Sequence, residues 1–187
     1  MDIPDVYLKS ARAQFAHYKR LGEKAFEQVS DEQLFRRSDP EANSMAILVN
    51  HLHGNMRSRW TDFLTTDGEK EWRERDLEFE DVISSRDEML ARWEDGWRCL
   101  FAALDSVHAG NFDTTVYIRD QAHSIMDAVN RQLCHYAYHV GQIVLLGRME
   151  HGLGWNSLSI PRGASAAFNK EKFGRGRHGG HFTDDLK

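Results

Sequence analysis

The sequence predicts an all-α fold, a four-helix bundle with a long crossover between its second and third helices. Three observations predict it. Four stretches repeat apolar residues at the spacing of a helix face. The charged segment 67–84 between the second and third stretches has no clean period and is too long for a turn. A long crossover lets the flanking helices run parallel, where a short turn would force them antiparallel. Finally, 187 residues suffice for one well-buried core and are few for two.

The first helix starts at Pro4 and Asp5, and Tyr7, Leu8, Ala11, Phe15, Tyr18, Leu21, Ala25, Phe26 and Val29 keep its period. Residues 30–43 are a connection with room for a short helical turn. The second helix begins near Ser44, a good capping residue. Ile47, Leu48, His51, Leu52, Asn55, Met56, Trp60, Phe63 and Leu64 form its apolar face, and Thr65 to Gly68 end it. The charges of 67–84 read as a solvated face, with a lid over a pocket as the alternative, anchored by Trp72, Leu77 and Phe79. The third helix runs from about Ser85 to Val107, with Trp93 and Trp97 as core residues and Asp87 and Glu88 at the positive end of its dipole. Gly110 and Asn111 break the pattern. Phe112 to Ile118 alternates loosely, enough for a short extended segment and not for a sheet. The fourth helix spans about His123 to Glu150.

Composition excludes several classes. Lys plus Arg at 24 against Asp plus Glu at 29 gives a net charge of −5, without the basic footprint of a nucleic-acid-binding protein. The first residues carry acids where a signal peptide carries bases, and no apolar stretch approaches membrane-spanning length. Cys99 and Cys134 both fall in helical patterns and make no disulfide framework. The expected compartment is therefore the cytoplasm.

Chemistry concentrates in the fourth helix, where Gln132, His135, His139 and Gln142 share one stripe. Two imidazoles four residues apart differ by about 40° in azimuth and about 6 Å in height, so both overlook one patch. Such a stripe is polar for a core, and buried polar groups need partners. A metal ion would satisfy the pair, as would neighbouring polar groups. A third ligand is available in His51, which lies on the inward face of the second helix, whereas His53 is about 200° further round and points outward. Bundle axes about 8–10 Å apart let facing imidazoles converge on an ion at about 2.0–2.1 Å. Asn55, one turn beyond His51, and Gln132 and Gln142 read as amides supporting the ligands, and Tyr136 as packing. His178 and His181 belong to a Gly/Arg/His-rich end that could bind metal weakly. No His-Glu-x-x-His, phosphate-binding Gly loop, Gly-x-Ser-x-Gly or Cys-x-x-Cys occurs.

The segments Asn50-His51-Leu52-His53-Gly54-Asn55-Met56-Arg57-Ser58-Arg59-Trp60-Thr61-Asp62-Phe63-Leu64, Asp67-Gly68-Glu69-Lys70, Trp72-Arg73 and His139-Val140-Gly141-Gln142-Ile143 resemble the DinB-like, or YfiT-like, superfamily. Leu158 to Gly163 and Phe168-Asn169 fit a branch of small bacterial proteins within it. The resemblance implies one bundle domain over 1–170, with its crossover between helices two and three, and leaves 171–187 as a flexible tail outside the pattern. Carried over by position, it makes His51, His135 and His139 the ligands of a divalent metal. It also implies a homodimer, and relatives that are transferases using low-molecular-weight thiols such as mycothiol or bacillithiol, or a metal-dependent hydrolase.

Three neutral imidazoles leave an ion with net positive charge and a free position. Zinc or nickel suits such ligands, with manganese and iron also compatible. The expected activity is a transferase or hydrolase acting on a small molecule. The alternative is a non-catalytic, stress-responsive metal-binding dimer. No carboxylate one turn from a ligand offers itself as a general base.

Overall fold

The computed structural model describes residues 2–185, so Met1 and the last two residues of the expected tail, 186–187, lie outside the described residues. It is mostly helical: α1 Ile3–Phe26, α2 Asp31–Phe35, α3 Met45–Trp60, α4 Arg86–Asp105, α5 Ile125–His151 and α6 Ser165–Gly174, with one hairpin of β1 Thr115–Ile118 and β2 Gln121–Ser124. The four long helices of the sequence reading are α1, α3, α4 and α5. Each is capped where a short polar residue precedes the apolar run: Asp2, Ser44, Ser85 and Ser124 accept the backbone N–H of Asp5, Ile47, Glu88 and Asp127. The helical turn allowed in 30–43 is α2, closed by a reciprocal Ser30–Gln33 capping box. No described helix is long and apolar enough to cross a membrane.

Packing joins α1 to α4 and α5, and α3 to the same two helices. Phe15 of α1 sits at the middle, fully buried, and meets one aromatic ring from each of the other three. Its ring centroid lies 6.1 Å from Trp60, 6.3 Å from Trp97 and 5.8 Å from Tyr136. Trp97 and Tyr136 close the cluster at 5.7 Å. These rings hold α5 in rotation about its axis, which decides where the residues flanking Tyr136 point.

Two expectations are corrected. The second long helix stops at Trp60 rather than near Thr65, because Asp62 takes a positive φ of 49° and turns the chain. Residues 112–124 also form more than an extended segment, since Thr115–Ile118 pairs antiparallel with Gln121–Ser124. The turn between them places Arg119 and Asp120 at φ 56° and 59°, the paired left-handed conformation of a type I′ turn. Such turns usually carry Asn-Gly, and here a distant residue replaces that local preference. Asp67 accepts the backbone N–H of Arg119 and of Asp120, both at 2.8 Å, and Gly68 donates to Tyr117 O at 2.7 Å. The hairpin is thereby tied to the start of the crossover.

At the other end of the chain, Thr183 is buried and His181 Nε2 lies 3.1 Å from Ser10 Oγ of α1.

Because Phe15 is fully buried and touches an aromatic ring of each of the three partner helices, Phe15→Ala should destabilise the fold by about 3–5 kcal/mol. Urea denaturation followed by tryptophan fluorescence measures this, and a loss below about 1 kcal/mol would show that the cluster is not the structural centre.

Candidate metal centre

His51 projects from α3, and His135 and His139 from consecutive turns of α5. One ring nitrogen of each lies within 4.8 Å of the others. His51 Nε2 and His135 Nε2 are 3.2 Å apart. Two nitrogens bound at about 2.0–2.1 Å to a tetrahedral ion stand about 3.3–3.4 Å apart, so this pair already has the separation of two ligands. His53 points the other way, to Asp95 of α4 at 3.0 Å. His178 lies near its own backbone, at Gly176 O, and is not part of the cluster.

The outer nitrogens decide which lone pairs face inward. His51 Nδ1 lies 2.9 Å from Glu78 Oε2. An ionised carboxylate can only accept, so the imidazole donates from Nδ1 and leaves its Nε2 lone pair for an ion. His139 Nδ1 lies 2.8 Å from Gln142 Oε1, with the same consequence for its Nε2. His135 Nδ1 is buried and has no partner among the described residues, as is the case for Gln132 Oε1. The unpartnered Gln132 oxygen beside converging imidazole nitrogens fits a bound cation better than a closed set of protein hydrogen bonds.

Glu78 is the residue that sequence reasoning missed. It sits in the charged crossover, on a 3-10 turn Asp76–Phe79, and is 6% exposed. Arg73 grips it bidentately, Nε to Oε1 at 2.7 Å and Nη2 to Oε2 at 2.9 Å. Arg73 also reaches Glu69 Oε2 at 3.1 Å, and Glu69 takes Arg59 at 3.1 Å. Burial pushes the Glu78 carboxyl up, but hydrogen bonds from His51 and Arg73 with the guanidinium charge outweigh it and hold the group below the ordinary glutamate value. It stays an anion. Phe79, next in the chain, stacks on the His51 ring at 4.5 Å and 25°. The crossover is therefore only partly the solvated face expected: Glu71, Glu74, Asp76, Glu80 and Asp81 are exposed, while Arg73 and Glu78 fold onto the histidines.

A family model matches residues 2–164. The chain belongs to the DUF1572 family. That family is described as a protein of unknown function. Comparison with the curated proteins and with the solved structures found no match.

In this DUF1572 chain the three amides expected to support the ligands have different surroundings. Gln142 holds His139. Asn55 is buried in the cavity wall, where its Oδ1 accepts from Tyr136 OH at 3.1 Å, and that hydroxyl accepts from Trp60 Nε1 at 2.9 Å. Asn55 thus links the site to the aromatic core instead of touching a ligand. Gln132 lines the same cavity without a hydrogen-bond partner for its oxygen. The cavity measures about 300 Å³, opens to solvent, and has all three histidines in its wall.

Gly54 makes room for Glu78. A Cβ there would fall 2.4 Å from Glu78 Oε1 and 2.7 Å from Cδ. Gly54→Ala should therefore displace the carboxylate from His51 and weaken metal binding about 10–100-fold. The same substitution adds about 1 kcal/mol of helix propensity, which offsets only part of the cost of moving a buried carboxylate off its partners, so the melting temperature should fall. Chelator-competition titration beside a thermal melt checks the pair of outcomes. Unchanged affinity would remove Glu78 from the account.

Burial pushes the His135 imidazole down to about 3, with His139 and His51 adding to the effect, and burial likewise lowers His139. The folded state keeps these rings neutral while the unfolded chain takes up protons near pH 6.5. Metal-stripped protein should accordingly be most stable above about pH 6.5 and lose stability as pH falls toward 3. His135→Gln should flatten the upper part of that slope by up to about 1.4 kcal/mol per pH unit. Denaturation at a series of pH values between 7 and 4 checks it, and parallel slopes for both proteins would contradict the neutral-His assignment.

Proposed function

We propose that this protein is a divalent-metal-dependent enzyme in which His51, His135 and His139 hold the ion and a small molecule enters from the cavity. The observation that carries the reading is the convergence of three imidazoles at the wall of a solvent-open cavity. Zinc or nickel is the proposed ion from the all-nitrogen donor set, with manganese and iron next. An ion with a free position supplies Lewis acidity, lowering the pKa of a coordinated water or thiol toward neutrality.

The chain's own residues have defined tasks. Glu78 keeps the proton on His51 Nδ1, and Gln142 keeps the one on His139 Nδ1, so both rings present Nε2. Arg73 keeps Glu78 ionised and fixed. Phe79 covers the His51 face and excludes water from it. Among the described residues no carboxylate lines the cavity. Hydrolysis and thiol transfer each require the coordinated water or thiol to lose one proton, and with no carboxylate in the wall that proton passes to solvent once the ion has lowered its pKa. The proposed reaction is a transfer using a low-molecular-weight thiol or a hydrolysis. The lack of a base also supports the contrary reading, a non-catalytic, stress-responsive metal-binding protein.

The same proposal takes the four long helices as the DinB/YfiT-like bundle with its crossover. It places the protein in the cytoplasm as a homodimer with neither nucleic acid nor membrane as partner.

Elemental analysis of protein never exposed to an affinity resin should find close to one equivalent of zinc or nickel per chain. His51→Ala, His135→Ala and His139→Ala should each abolish it. Wild-type protein that holds no ion after incubation with either metal would end the metal reading. Turnover of electrophiles with added thiols by the loaded protein separates enzyme from binding protein.

A further inference from the structure

The wall of the three-His cavity is basic in an otherwise acidic protein. Arg59, Arg73, Arg75, Arg119 and Arg131 line it, and no described carboxylate does. Two carboxylates behind the wall neutralise part of this charge. Glu78 is taken by Arg73, and Glu69 is divided among Arg59, Arg73 and Arg119, at 3.1, 3.1 and 3.2 Å. The five guanidiniums outnumber the two carboxylates that pair with them, although the chain carries −5 overall.

The outer arginines are the informative ones. Arg75 has its guanidinium over the Phe79 ring at 5.3 Å from the centroid, and Phe79 stacks on His51. The charge is thus one ring away from the candidate ligand. Arg131 lies one helical turn before His135 on α5, and its Nη1 is 3.4 Å from His123 Nε2, a neutral-capable partner. Arg119 stands on the hairpin turn, half-exposed, with Glu69 as a shared partner. Three elements, the crossover, the hairpin and α5, therefore each bring one arginine to the mouth of a single cavity.

We propose that this mouth recognises an oxyanion on the substrate, a carboxylate or a phosphate, through Arg75, Arg119 and Arg131, while the substrate's reacting end lies at the three histidines. The proposal deepens the metal-dependent reading above and rests on it for the position of the reacting end. Planar guanidinium forks match both oxyanions bidentately. Guanidiniums clustered around a concave site raise the local concentration of an anionic ligand and speed its entry. A volume of about 300 Å³ is at the lower end of ligand sites, the size of a metabolite and not of a polymer segment.

The test is calorimetric titration of zinc-loaded full-length protein with three small probes: phenylphosphonate, benzoate and the neutral benzyl alcohol. At low ionic strength the two anions should bind at least tenfold more tightly than the alcohol, and 0.5 M salt should weaken them. Arg75→Gln and Arg131→Gln should each weaken the anions at least fivefold, with zinc content unchanged by elemental analysis. Arg75 is exposed on the crossover, so Arg75→Gln keeps the test informative if Arg131→Gln fails to fold. Anions that bind no better than the alcohol, or equally well to the Arg75→Gln protein, would overturn the proposal with the metal centre still standing. Arginine-dependent anion binding by a protein that takes up no zinc would instead keep the anion site and overturn the metal centre. If only phenylphosphonate responds to the arginine substitutions the oxyanion is phosphate-like; if both respond equally, either group is accepted.

Discussion

The candidate centre depends on one buried carboxylate held between a cation and an imidazole. Glu78 receives Arg73 on both oxygens and His51 on one, at 6% exposure. A carboxylate so enclosed is tolerated only when its partners are in place, and removing one strands a desolvated charge. The interaction therefore works in two directions. It anchors the crossover across α3 through the chain Glu69–Arg73–Glu78, and it sets the tautomer of His51. Gly54, one turn of helix from His51, leaves the space the carboxylate occupies. The contact that docks the crossover on α3 is also the one that orients the candidate ligand His51.

The α5 side is prepared by different physics. His135 and His139 are held by the apolar packing around Tyr136, whose ring meets Phe15 and Trp97 and whose hydroxyl lies between Trp60 and Asn55. A rotation of α5 large enough to move the imidazoles would break that aromatic cluster. Two candidate ligands thus rest on an aromatic, apolar scaffold, and the third on a hydrogen-bonded ion pair at the edge of the core. Sites supported by regular elements and by locked neighbours keep their geometry to within fractions of an ångström.

Helical phase alone was enough to select His51 over His53 and to pair it with His135 and His139, because both decisions depend on a period that the apolar residues of α3 and α5 make plain. Gln142 was legible for the same reason. Glu78 was not. It lies among acids and arginines that share no period, and nothing local separates it from exposed Glu74 or Glu80; its burial is decided by Arg73, Gly54 and His51 together. The hairpin was hidden similarly, since Arg119 and Asp120 lack the usual turn chemistry and the stabilising carboxylate, Asp67, is remote in sequence. Asn55 was placed correctly on the inward face, but its partner is Tyr136, and which of two inward polar groups meets which depends on side-chain directions that periodicity does not carry. Periodic elements were readable; contacts made by aperiodic segments were not.

Charge gives the two halves of the cavity a common logic. Three neutral imidazoles add nothing to offset a divalent cation, and the nearest anion, Glu78, already shares its charge with Arg73. On the proposed reading a loaded centre would bring its two positive charges to a wall already lined by five guanidiniums. Such a cavity is electrostatically incomplete without an anion, and an oxyanion seated on Arg75, Arg119 and Arg131 would relieve the repulsion among the arginines and between them and the ion. Linkage then requires reciprocity: whatever the ion contributes to anion affinity, the anion returns to ion affinity. A centre built this way holds its metal most tightly when substrate is present. On that reading the coupling follows from placing neutral candidate ligands and clustered guanidiniums around one cavity, whichever divalent ion occupies it.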